Sequence, residues 1–165
     1  MIQKYYWEHV ITDSIIENCI EIVDKIFETD NWCKDDPDIP KYQTWTTLFE
    51  MDEFYPFAET FMQSCSYYLN IPKISYEKVV AWMYKSDATT TDAVWHNHAK
   101  GGCHLSGLFY LKNDEMVGTE FRAVPGILPE KYCWYIFPSF LDHKPQQNKT
   151  NNKKYCLAAD LTLDF

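Results

Sequence analysis

Three of the five histidines in this 165-residue chain are spaced to share one metal ion. His96 and His98 stand at i and i+2 in AVWHNH (93–98). On a β-strand that spacing sends both side chains to one face. His143 closes the aromatic run WYIFPSFLDH, 143 − 98 = 45 residues further on. A barrel brings two such distant strand ends together. Imidazole nitrogen suits iron, zinc, copper and nickel. A histidine pair alone is more often surface or core, and His9 and His104 lie outside the pattern.

Positioning these side chains calls for a β scaffold, and the second half of the chain reads as one. Strand-like segments at 74–84, 93–98, 104–112, 118–123, 132–138 and 154–164 are separated by the turn pairs Gly101-Gly102, Asn113-Asp114 and Pro125-Gly126. The first half reads as helical, after a short strand within 1–11. Ser14 and Glu17 are spaced as a capping box, and Ile15, Ile16, Cys19, Ile20, Val23, Ile26 and Phe27 recur at helical spacing. A second apolar stripe runs through about 52–69, after an Asp- and Pro-rich loop at 30–42 and a strand candidate at 43–49. The expected architecture is a single α+β domain over 1–165. Its N-terminal helices (1–72) pack on one face of a β-sandwich or jelly roll (73–165).

Composition narrows the function. The formal net charge is -9, with the single arginine Arg122 against fourteen lysines. An acidic surface repels phosphate backbones, so no nucleic-acid partner is expected. No apolar run approaches the roughly 20 residues of a membrane span. The opening MIQKYYWEHV lacks the apolar core of a secretory leader, so a cytoplasmic location and six reduced cysteines are expected. None of the six forms a C-x-x-C pair, which argues against a zinc ribbon.

The stretch from Trp95 to Leu111, WHNHAKGGCHLSGLFYL, resembles the first metal strand and following S-G-x-x-Y-L strand of 2-oxoglutarate/Fe(II) oxygenases. It is similar above all to the small prolyl-4-hydroxylase-like group of bacteria and phages. Ile136–His143, IFPSFLDH, resembles that group's second metal motif. The resemblance covers about residues 76–164 and implies a double-stranded β-helix (jelly-roll) fold. It also implies Fe(II) held by His96, His98 and His143, with 2-oxoglutarate and O₂ as co-substrates. Lys154, at 154 − 143 = 11 residues past His143, matches the cation that pairs with the far carboxylate of 2-oxoglutarate. Tyr110 is a second candidate for that carboxylate. Arg122, His104 and Trp95 are candidates for the substrate pocket.

The departure is at His98, where the family's H-x-D motif carries a carboxylate. Three accounts stand open: His98 is a third ligand, a carboxylate such as Glu120 replaces it, or the site is degenerate. The small residue of halogenases is absent there, which speaks against halogenation. The implied activity is hydroxylation of an amino-acid or peptidyl side chain by a monomer or homodimer. The alternatives are a cupin-like three-histidine metal enzyme without 2-oxoglutarate, and a non-enzymatic acidic binding module.

Overall fold

In the computed structural model, which describes residues 1–36 and 42–165, one five-stranded antiparallel sheet carries both halves of the chain. Its strands are β1 (Gln3–Tyr6), β2 (Tyr76–Ser86), β3 (Leu105–Lys112), β5 (Cys133–Pro138) and β7 (Lys154–Leu163), in the order β1-β5-β3-β7-β2. Two short strands, β4 (Thr119–Phe121) and β6 (His143–Pro145), form a second sheet. The helices are α1 (Asp13–Phe27) and α2 (Tyr55–Leu69). This is an α+β fold, and the hydrogen bonding of its two sheets does not close into a barrel among the described residues. Part of the predicted 30–42 loop, residues 37–41, lies outside the described residues.

Period-two alternation divides the large sheet into two faces with different tasks. One face meets the helices. There Phe57 sets its ring edge-on to Phe109 at 5.1 Å, and Phe61 reaches Trp134 at 5.0 Å. The indole N–H groups buried in this layer are satisfied by α2, with Trp134 Nε1 donating to Thr60 Oγ1 and Trp7 Nε1 to Ser64 Oγ, each at 2.9 Å. Gly107 is required because a Cβ there would lie 2.6 Å from Phe61 Cε2. The opposite face carries Leu108, Tyr110, Tyr135, Phe137, Cys156 and Ala158 under the small sheet. All six cysteines are free thiols.

Three sequence expectations are corrected. Helix α1 starts at Asp13 and is capped by Thr12, whose Oγ1 accepts from Ile15 N at 3.3 Å. The extended backbone at Thr12 aims its hydroxyl at the free amides, so the Ser14–Glu17 box is not used. Segment 43–49 makes only single bridges, Gln43 to Tyr84 and Thr47 to Ala81, before turning into a short 3₁₀ helix at Leu48–Glu50. Thr44 diverts the ladder by accepting Met83 N on its side-chain Oγ1 at 2.9 Å. Segment 93–98 likewise bridges at His96 alone.

Candidate metal centre

His143 opens β6 and exchanges both backbone hydrogen bonds with His96: His96 N donates to His143 O at 3.1 Å, and His143 N to His96 O at 2.9 Å. Continued antiparallel pairing would set His98 against Leu141. Instead His98 N donates to Ser139 O at 2.9 Å, because a turn at 138–141 closes through Leu141 N to Pro138 O at 3.1 Å. The i and i+2 logic still holds over this short extended stretch. The rings converge, with centroids 4.6 Å apart for His96–His143, 5.0 Å for His98–His143 and 5.2 Å for His96–His98. One nitrogen from each ring lies within 4.8 Å of the other two.

The second nitrogen of each ring is already engaged. Nδ1 of His96 lies 2.9 Å from Val94 O, Nδ1 of His143 lies 2.8 Å from Leu141 O, and Nδ1 of His98 lies 2.8 Å from Asp160 Oδ1. All three partners are acceptors, so each Nδ1 carries a proton and Nε2 is the nitrogen each ring can offer to a metal. Burial pushes His143 down to about 4, and partial desolvation lowers His96, which stands at the exposed edge of the cluster, so both stay neutral at physiological pH. Neutral imidazoles directed inward are what a divalent transition metal takes. Phe121 and Phe137 pack against His143, with centroids at 5.6 and 5.3 Å, and Trp82 stands edge-on to His98 at 5.4 Å. The donor set therefore fits a metal held by three histidines on one side.

A cavity of about 70 Å³ opens beside the histidines and has Lys154 in its wall. Lys154 begins β7 and is 2% exposed. Its Nζ donates to Gly118 O at 3.1 Å and lies 5.5 Å from the Tyr110 ring centre. No carboxylate among the described residues pairs with it. Burial lowers its pKa to about 8. Gly118 is held against the chain opposite: a Cβ there would sit 1.8 Å from Ile127 O. Thr119, also in the cavity wall, meets the Tyr110 hydroxyl at 2.5 Å. A buried cation without an anion, sharing a cavity with three free imidazole nitrogens, is equipped to bind a small anionic chelator.

The remaining expectations divide. Tyr110 lies beneath Lys154, its hydroxyl taken by Thr119, and does not line the cavity. Trp95 and Arg122 do not line it either. They alternate outward from His96 and Phe121, and the Arg122 guanidinium rests over Trp95 at 4.9 Å. His104 lies elsewhere, its Nδ1 accepting Leu163 N at 3.0 Å and its ring against Phe165. Glu120 faces Lys144 at 3.7 Å on the outer surface, so it is not the replacement carboxylate. Asp160 was missed by the sequence reading, as were Ser106 and Tyr84 of the cavity wall. The signal was present: Asp160 is six residues past Lys154, an even step along one strand, and so shares its face.

Comparison with solved structures matches nearly the whole chain. A prolyl-4-hydroxylase from Pseudomonas putida superposes with a TM-score of 0.75 at 8% identity, covering 99% of this chain and 93% of that one. A viral collagen prolyl hydroxylase from Paramecium bursaria Chlorella virus-1, in its 2-oxoglutarate complex, gives a TM-score of 0.61 at 16% identity, covering 97% and 94%. A prolyl hydroxylase from Trichoplax adhaerens, in complex with a hypoxia-inducible-factor peptide fragment, gives 0.65 at 12% identity, covering 98% and 83%. The chain has the fold of the prolyl hydroxylases. No protein-family model and no curated protein sequence matches it. The resemblance read from the two histidine motifs thus stands at the level of the fold.

Proposed function

We propose that this chain is a single-domain 2-oxoglutarate-dependent Fe(II) oxygenase that hydroxylates an amino-acid or peptidyl side chain. Its two sheets are read as the large and small halves of a jelly roll. The observation that carries the reading is Lys154, a buried ammonium with no counter-anion among the described residues, in the cavity that the three histidines also line. A three-histidine site without a co-substrate would have no use for that cation.

His96, His98 and His143 would hold the iron through Nε2, each ring fixed by its Nδ1 hydrogen bond. When bound, the iron supplies oxygen activation coupled to oxidative decarboxylation of 2-oxoglutarate to succinate. Lys154 binds the far carboxylate of 2-oxoglutarate by a charge-assisted hydrogen bond, which orients the keto acid toward the histidines. Thr119 and Tyr84 border the same space. Trp82 and Phe137 exclude water from the reacting side. The likeness in fold to prolyl hydroxylases supports the substrate class.

Incubation with Fe(II), O₂ and 2-oxoglutarate tests the activity through succinate release. The expected result is slow succinate formation that depends on the metal and disappears in His143→Ala. Oxygen uptake that is indifferent to 2-oxoglutarate would overturn the reading in favour of a cupin-like enzyme.

A further inference from the structure

The three inward histidines leave the metal side of the cavity without a negative charge, and among the described residues no carboxylate joins them. One carboxylate lies directly behind. Asp160, 6% exposed on β7, places Oδ1 2.8 Å from His98 Nδ1. It is not a free acid that drifted there. Ser106 donates to the same oxygen at 2.6 Å, and Ser106 and Ser139 oxygens lie 2.9 Å apart. Ser139 also receives the backbone N–H of His98 at 2.9 Å. The ladder fixes this set, since Ser106 stands opposite Asp160 on one side and Phe137 on the other. His98 therefore differs from its two companions, whose Nδ1 atoms meet neutral carbonyls.

We propose that Asp160 is a positioning residue that returns the missing negative charge to the centre through the His98 imidazole. A carboxylate accepting from Nδ1–H raises the electron density at Nε2 and makes that nitrogen a stronger ligand. It also locks the tautomer and the ring plane. This inference rests on the metal reading above and adds to it which ligand is tuned and by what.

The test is Co(II) affinity by competition with a chromophoric chelator, on the full chain. Asp160→Asn keeps the shape and an acceptor oxygen but removes the charge. The expected result is Co(II) binding weakened about 10- to 100-fold, an altered cobalt visible spectrum, and an unchanged melting temperature. Asp160→Glu, which restores the charge, is expected to recover part of the affinity. Equal affinity of wild type and Asp160→Asn would overturn the proposal while leaving the metal centre standing. Failure of the wild type itself to bind Co(II) would overturn the metal reading, and this inference with it. A second measurement needs no variant: ¹⁵N-resolved imidazole spectra of the Zn(II)-loaded wild type. They are expected to show His98 protonated on Nδ1 and metal-shifted on Nε2, and the opposite tautomer would overturn the proposal.

Discussion

Burying an ammonium group costs several kcal/mol unless an anion meets it. Lys154 is held at 2% exposure with the Gly118 carbonyl and the face of Tyr110 beside it, and its pKa falls to about 8. The unfolded chain, with a lysine pKa of about 10.4, binds a proton that the folded chain has already released between those two values. Stability of the ligand-free protein therefore rises with pH across that window, by up to about 3 kcal/mol. Below pH 8 the full burial penalty remains. Urea unfolding of wild type and Lys154→Met at pH 7 and pH 10 isolates this contribution, which the variant should lack. At pH 7 Lys154→Met is expected to be more stable than wild type by about 1–3 kcal/mol. It should also bind 2-oxoglutarate about 10- to 100-fold more weakly, the equivalent of a lost charge-assisted hydrogen bond of roughly 1.5–3 kcal/mol. In the wild type, 2-oxoglutarate affinity should fall as pH rises past about 8, because the neutral amine no longer pairs with the carboxylate. Gain of stability with loss of binding, measured by isothermal calorimetry, is the signature of a residue kept for a ligand.

At the scale of elements, the large sheet separates stability from chemistry by facing two ways. Gly107 on β3 faces α2, where an added methyl would meet Phe61 Cε2 at 2.6 Å and Ile136 Cδ1 at 3.1 Å. Gly107→Ala is expected to destabilise the fold by about 1–3 kcal/mol through overpacking, read as a lower denaturant midpoint. Metal affinity should change little, because the added methyl meets Phe61 and Ile136 on the helix side, while only the Gly107 backbone borders the cavity. The two helices were legible in the sequence because their apolar spacing matched one helical period over many residues, whereas β3, β5 and β7, buried on both faces, were legible as apolar and aromatic runs bounded by turn residues. Strand β6 was not, since three residues beginning at His143 offer no period to read. Segments 43–49 and 93–98 misled for the opposite reason: β-branched and aromatic residues gave strand propensity to stretches that a side-chain acceptor and a turn then interrupted. His96, His98 and His143 could be found from residue type and order alone. Their support could not: Asp160 sits among apolar residues of β7, and its role depends on β3 and β7 being neighbours. Trp95 and Arg122, candidates for the substrate pocket, stand beside the cavity and not in its wall, which the alternation along their segments decides.

For the whole molecule, β3, β5 and β7 contribute to both the helix-facing core and the cavity-facing core. A ligand bound on one face therefore stabilises everything built on the other. Among the described residues no helix is long and apolar enough to cross a membrane. Fe(II) alone at about 100 times its dissociation constant should add roughly 2.7 kcal/mol. That corresponds to a rise of roughly 5–10 °C in Tm for a chain of this length, seen as a single calorimetric peak. In the proposed function the three histidines and Lys154 hold an iron and a keto acid together. Anaerobic addition of Fe(II) and then 2-oxoglutarate, followed by visible absorption, tests it most directly. A weak charge-transfer band that appears only when both are present, and is lost in His98→Ala, is the predicted result. Absence of any band at saturating concentrations of both, with the protein folded, would mean that the histidines and Lys154 do not hold the two together.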